Sequence, residues 1–206
     1  MNSPPKLLRS CSIQNGTIWI DGAEVFTGPT NDFAAFATSA FRALTIDYPK
    51  FYKMDNLAKL GFLAAEHLLA GLNFRTPGVA DRTGIVLANA NSSLDTDLRY
   101  AAQVQQGLAS PALFVYTLPN IVVGEVCIRH GITGENMLFE AEHYDAAAQV
   151  AYVANLFAHN TIDQCLSGWI DLLGQEYRAF FYLVGAGSQP TLPDYTAASV
   201  ETLFTT

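Results

Sequence analysis

The segment from Glu140 to Asp145 concentrates the side chains best suited to chemistry. It contains three carboxylates, those of Glu140, Glu142 and Asp145, and the imidazole of His143 lies among them. The segment follows a candidate strand and precedes a candidate helix, which is where layered α/β proteins place ligands. A histidine there can act as a general base. The same acids also suit a helix N-terminus, where capping and the helix dipole favour them, so residue types alone favour a structural role.

The other residues with chemical potential give weaker signals. The three cysteines, Cys11, Cys127 and Cys165, are odd in number and lack metal-site spacing, which indicates buried thiols in a reducing compartment. The remaining histidines have no metal-binding context. The glycine-containing stretch at 185–188 lacks a full phosphate-loop pattern and is interpreted as an exit loop. We therefore predict no metal and no cofactor.

Composition and charge exclude several classes of protein. Of the 206 residues, 50% are hydrophobic and only 15% are charged, which excludes a mainly disordered chain. Residues 1–130 carry ten basic and ten acidic side chains, whereas 131–206 carry Arg178 alone against nine acids. Neither part offers the basic surface that nucleic-acid binding requires. With no apolar run long enough to span a membrane and no signal peptide, we predict a cytoplasmic protein without a membrane span.

The elements that would position these residues alternate along the chain. The patterns predict strands at 13–20 (with a turn at Asn15-Gly16), 83–88, 136–140, 164–173 and 178–184. They predict helices at 33–44, 57–72, 95–106, 118–130 and 145–159. This alternation indicates a layered α/β fold with a mainly parallel sheet.

Three stretches also form an ordered series. Residues 47–55 (DYPKFYKMD) lead into an apolar helix, and 83–89 (TGIVLAN) form the buried strand. Residues 110–120 (SPALFVYTLPN) continue through 128–134 (IRHGITG). In order and spacing this series resembles the N-terminal half of β-ketoacyl-acyl carrier protein synthases, the ketosynthases of the thiolase-like superfamily. The resemblance implies half of a thiolase-like fold: a mixed, mainly parallel five-stranded sheet with helices on both faces, in one domain over 1–206 with a loose tail from about 186.

The sequence departs from the family at the catalytic position. In ketosynthases a strand after the glycine turn ends in Thr-Ala-Cys, and that cysteine accepts the acyl group at a helix N-terminus. Counted from Gly134 without gaps, this position is His143. An imidazole does not replace a thiolate that attacks thioesters. Cys127 lies about sixteen residues too early and Cys165 about twenty-two too late.

The departure itself resembles a subgroup of the family. Ala141-Glu142-His143 is similar to the Ala-Glu-Gln of chain-length factors, relatives without the nucleophile that pair with an active ketosynthase. The family's catalytic histidines lie in its C-terminal half, which we expect this chain, about half the usual length, to lack. The resemblance thus implies a catalytically silent accessory subunit of fatty-acid, polyene or polyketide-type synthesis.

Two other functions stay open from the residues. One is a small enzyme that hydrolyses or decarboxylates thioesters with His143, tuned by Glu140, Glu142 and Asp145. The other is a self-associating structural protein, which would form a stable homodimer indifferent to any carrier protein.

The resemblance also implies partner surfaces. Ketosynthases pair across their dimer axis through the strand before the nucleophile, so a homodimer or a heterodimer with a full-length ketosynthase is expected. The residues of that strand are Met137, Leu138 and Phe139. An acyl carrier protein is a further possible partner, and because carriers are acidic the expected contacts are Lys50, Lys53 and Lys59.

Overall fold

A single mixed sheet with helices on both faces organises the chain. The computed structural model describes residues 4–186 and 192–206. The strands are β1 (Lys6–Gln14), β2 (Thr17–Ile20), β3 (Ala23–Thr27), β4 (Thr83–Asn89), β5 (Asn136–Glu140), β6 (Gln164–Leu173) and β7 (Glu176–Gly185). The α-helices are α1 (Phe33–Ala43), α2 (Asn56–Leu68), α3 (Leu94–Gln105), α4 (Pro111–Phe114), α5 (Ile121–His130), α6 (Ala146–Ala158) and α7 (Ala197–Thr205). Short 3-10 helices cover Pro49–Lys53 and Val115–Thr117.

The α/β class with helices on both faces is as predicted, but the number and direction of the strands differ. The sheet has seven strands rather than five, in the order β3-β2-β1-β7-β6-β4-β5. Only the β4–β5 and β4–β6 pairs are parallel, and the other four neighbouring pairs are antiparallel. Tight turns explain the difference, because a two-residue connection can join only antiparallel strands.

The turn at Asn15-Gly16 shows how this happens. The predicted strand at 13–20 is the closing part of a hairpin, in which Gln14 of β1 faces Thr17 of β2. Asn15 and Gly16 have φ angles of 47° and 75°, the left-handed pair that a tight hairpin turn needs. The hydroxyl of Tyr177 on β7 accepts the Gly16 N–H at 2.8 Å, which ties the turn to the neighbouring strand.

The core lies on both faces of the sheet. Helices α1, α2 and α5 cover one face in the larger apolar cluster, where the rings of Phe41 and Phe51 stack with centroids 4.1 Å apart. Helices α6 and α7 cover the other face. The helices begin where sequence patterns predict them, since the side chains of Asp32, Asp55 and Asp145 cap α1, α2 and α6.

Part of the predicted loose tail is an ordered helix. Residues 192–206 include α7, whose Val200 is fully buried against the sheet. The guanidinium of Arg178 lies 3.9 Å from the ring centre of Phe204 and donates to its carbonyl oxygen. This apolar face anchors the segment after its prolines, a pattern that the sequence reading did not weigh. Positions 187–191, which include the predicted exit loop, lie outside the described residues.

Among the described residues no single helix is both long and apolar enough to cross a membrane. One bent pair, Pro111–Thr117 with Ile121–His130, reaches that length and composition only when its two parts are counted together.

Candidate functional site

The junction between β5 and α6 is where the sequence placed its chemical candidates. The carboxylate of Asp145 accepts the Ala148 N–H at 2.9 Å and caps α6. The carboxylate of Glu140 accepts the Ser92 hydroxyl at 2.7 Å and links β5 to the turn before α3. Two of the three candidate carboxylates therefore have structural hydrogen bonds, which agrees with the role that residue types alone favoured.

The imidazole of His143 lies exposed at the same junction. It lines a shallow pocket of about 340 Å³ between the starts of α6 and α7, where Glu201 contributes a further carboxylate. Glu142 is exposed beside it. None of the hydrogen bonds or ion pairs found in the described ranges involves His143 or Glu142. Acid–base catalysis by a histidine usually requires a partner that orients the ring, and the geometry supplies no such partner here.

The three thiols lie away from the junction and are poorly suited to attack. Cys11 and Cys165 are fully buried, and burial raises the pKa of both thiols well above the usual range. Burial also raises the pKa of the half-buried Cys127 to about 11. A nucleophilic cysteine needs a depressed pKa and access to substrate. Within residues 4–186 and 192–206, no group of three or more His, Cys, Asp or Glu side chains could hold a metal ion.

Strand β5 has one free edge. It pairs only with β4, in an unbroken parallel register from Ile85 facing Asn136 to Asn89 facing Glu140. The side chains of Met137, Leu138 and Phe139 are half-buried. The predicted partner strand is therefore an edge strand of the sheet.

The backbone of β5 alternates in the direction of its hydrogen bonds. The Glu135 carbonyl accepts the Ile85 N–H, and the Ala141 N–H donates to the Asn89 carbonyl, both at 2.9 Å. Along a paired strand, alternate residues direct their backbone groups to opposite sides. Odd-numbered residues thus face β4, and the N–H and C=O of Leu138, like those of its even-numbered neighbours, point to the free edge.

The opposite edge of the sheet, β3, is different. The β2–β3 pairing shifts register between Ile18 and Trp19, and β3 carries the exposed charge of Glu24. Bulges and edge charges discourage pairing with another strand. β5 has an even register and an apolar centre, so only β5 is an open template for strand addition.

The three lysines expected to contact a carrier protein differ in their surroundings. The Lys50 ammonium lies 2.6 Å from the buried Glu125 carboxylate. Lys59 is half-buried, and burial together with the charge of Arg99 lowers its pKa. Lys53 is exposed on the 3-10 helix before α2. Of the three, Lys53 is the one most available to a partner.

A buried ion cluster was missed in the sequence. Arg129 donates to both oxygens of the Glu66 carboxylate at 2.6 and 3.0 Å, and His130 Nε2 lies 3.2 Å from the first of them. Burial alone would raise the pKa of Glu66, but the hydrogen bonds and charges of His130 and Arg129 outweigh it and hold the pKa at about 2. A lone glutamate inside the apolar run of α2 was the available signal. The cluster joins the ends of α2 and α5.

Comparison with known proteins identifies the fold. No protein-family model and no curated protein matches the chain. A structure titled the ishigamide ketosynthase/chain length factor matches with a TM-score of 0.66 and 15% identity, over 91% of this chain and 64% of that chain. A ketosynthase (ApeO) in complex with its chain length factor (ApeC) from Xenorhabdus doucetiae matches with a TM-score of 0.60 and 14% identity, over 98% of this chain and 90% of that chain.

A third similar structure contains a carrier protein. It is AntDE:AntF, described as a type II polyketide synthase acyl-carrier protein in complex with its ketosynthase, with a TM-score of 0.55 and 13% identity. It covers 88% of this chain, which spans 62% of the matched one. The chain thus spans less than two thirds of the first and third matched chains. At these identities the comparisons establish the fold: it is the fold of ketosynthases and chain length factors, as the resemblance implied.

Proposed function

We propose that this chain is an accessory subunit, similar to a chain length factor, that pairs with a ketosynthase in fatty-acid, polyene or polyketide-type synthesis and does not itself catalyse condensation. The β5–α6 junction carries the proposal. It combines an open strand edge with an exposed imidazole where ketosynthases have their nucleophilic thiol. The complex of a ketosynthase with its chain length factor supports it, because the matched chain there is close in length to this one.

The silence of the chain follows from the chemistry of the junction. Condensation by a ketosynthase begins when a thiolate takes the acyl group from a thioester. His143 has no orienting hydrogen bond among those described, and burial disfavours the thiolate form of all three cysteines. We therefore expect no acyl-enzyme on this chain.

Pairing through β5 follows from its backbone. A strand of the partner can add to the free edge by hydrogen bonding to the outward N–H and C=O groups of Leu138 and its even-numbered neighbours. The half-buried side chains of Met137 and Phe139 lie on the opposite face of the strand from Leu138 and would be covered as well. The three free thiols are consistent with work in the reducing cytoplasm.

Co-purification tests the pairing directly. Tagged wild-type chain, captured from extract of its native cells, is expected to bring down a full-length ketosynthase in near-equal amount. Leu138→Pro removes one outward N–H without breaking the β4 ladder and should abolish capture. Leu138→Ala removes the side-chain packing but keeps that N–H, so it is the matched control and should retain most of the ketosynthase. Capture of only a second copy by the wild type, or equal capture by Leu138→Pro, would contradict the proposal.

Silence is tested by mass spectrometry of the intact protein. After incubation with malonyl and acyl thioesters, we expect no covalent adduct and no thioester turnover, for wild type and His143→Ala alike. A turnover that rises with pH and disappears in His143→Ala would instead establish the small thioester-processing enzyme.

We also propose that an acyl carrier protein contacts the exposed Lys53. Lys53→Glu should weaken carrier binding about two- to five-fold, the equivalent of one exposed charge pair, and the effect should shrink as salt is added. Calorimetric titration at two salt concentrations measures both. Lys59→Glu, at a half-buried position, should mainly cost stability. Unchanged carrier affinity in Lys53→Glu would rule out this contact.

A further inference from the structure

Exposed apolar side chains concentrate in one part of the described chain. Eleven large hydrophobic residues are exposed within the described ranges, and seven of them fall between positions 94 and 118. These seven are Leu94, Leu98, Val104, Leu108, Phe114, Val115 and Leu118. Isolated exposed apolar residues are ordinary, but a group of this kind marks an interaction surface.

Hydrogen bonds and ring contacts bring these residues together. The Ser93 hydroxyl donates to the Thr117 carbonyl at 2.9 Å, which places the start of α3 against the 3-10 helix after α4. The ring of Tyr100 on α3 lies 5.5 Å from that of Phe114 on α4. We call the resulting surface the α3–α4 patch. It is formed by Leu94, Leu98, Phe114, Val115 and Leu118.

The α3–α4 patch adjoins the free edge of β5. The Ser92 hydroxyl donates to the carboxylate of Glu140, the last residue of β5, at 2.7 Å. Ser93, which bonds to the 3-10 helix beside the patch, is the next residue along the chain. A partner strand laid along β5 therefore ends beside the patch.

The size of a stable interface requires more than β5. Such interfaces bury about 800 Å² and 20–30 residues on each side. β5 has five residues, whose outer side chains are already half-buried. Additional surface must come from a neighbouring apolar region, and the α3–α4 patch borders the strand's end. Its exposed Phe114 supplies the aromatic side chain typical of an interface centre.

We propose that the α3–α4 patch and β5 form one continuous surface that binds the ketosynthase partner, with Phe114 at its centre. This inference rests on the proposed function and names the surface that performs it. The polar side chains of Asp95, Asp97 and Arg99 on α3 supply a polar rim to the apolar centre.

The test compares charged substitutions inside and outside the α3–α4 patch. Leu98→Glu and Phe114→Glu place a charge on side chains that are each 58% exposed, so the isolated chain should keep its circular dichroism spectrum and melting temperature. Ile128→Glu, at a residue 61% exposed on α5 and outside the patch, is the matched control. Each patch variant is expected to lower the yield of captured ketosynthase at least about tenfold, whereas the control should match wild type.

The outcomes separate this inference from the proposed function. If wild type captures the ketosynthase and both patch variants capture it equally well, the α3–α4 patch is not part of the interface, although the pairing stands. If Ile128→Glu loses as much ketosynthase as the patch variants, the effect is general and the inference fails. If wild type captures no ketosynthase, the proposed function fails and this inference fails with it.

Discussion

Gly168→Ala is expected to destabilise the protein by more than about 4 kcal/mol, enough to remove most of the stability of a typical domain. Gly168 lies within β6, between β4 and β7, with a φ angle of 147° that side-chain-bearing residues rarely adopt. A Cβ atom there would lie 1.9 Å from the carbonyl oxygen of Phe180. Because the obstructing atom belongs to the backbone of the adjacent strand, no side-chain rotation can relieve the clash.

The loss should extend to the proposed partner surface. The Gly168 carbonyl accepts a hydrogen bond from Gln149 on α6 at 2.8 Å, so displacement of β6 also releases the helix that follows the β5 junction. Urea unfolding followed by circular dichroism measures the effect. Gly124→Ala on α5 is the matched control, because a Cβ there meets no atom within 4 Å and alanine favours the helix. A Gly168→Ala variant as stable as that control would show that β6 does not pass this close to β7.

Acid should unfold the protein in part through Glu66. The pKa of this buried carboxyl is held at about 2, below the ordinary value of 4.5, by Arg129 and His130. A carboxyl with a depressed pKa stabilises the fold above its unfolded pKa, and that contribution is lost as pH falls toward the folded value. Integrated over this shift, Glu66 contributes about 3 kcal/mol at neutral pH, lost between about pH 5 and pH 2.

Glu66→Gln isolates this contribution. The variant should be less stable than wild type at pH 7, and the difference should narrow as pH falls toward 2, where the wild-type carboxyl also becomes neutral. Unfolding free energies from urea titrations at several pH values give the comparison. Glu176→Gln, in the exposed turn between β6 and β7, should follow wild type throughout. A constant difference between Glu66→Gln and wild type at all pH values would exclude the carboxylate as the source.

Much of the fold was predictable because its signals are local. The Asp32, Asp55 and Asp145 caps sit directly before periodic apolar runs, and β5 was predicted over the residues that the structure assigns to it. The direction of the sheet was not, since it depends on pairings between distant segments. Cys11 of β1, for instance, faces Phe181 of β7. β3 was missed because its mostly exposed side chains give no alternation.

The candidate site was predictable in position but not in environment. Sequence spacing placed His143 and its carboxylates at a strand-to-helix junction, and they lie there. That Glu140 would bond to Ser92 could not be foreseen, because the two residues are far apart in sequence and meet only where β4 and β5 pair. The Glu66 cluster escaped for the same reason, since its partners lie on α5.

The open edge of β5 also bears on how much of this chain a cell can make. An apolar strand with unpaired backbone groups, no proline and no lysine is a template for uncontrolled pairing between identical chains. Orphan copies, produced in excess of the proposed ketosynthase, would adhere to one another and precipitate. Synthesis of the two subunits must therefore be matched in stoichiometry, and co-expression should raise the recovered yield of this one.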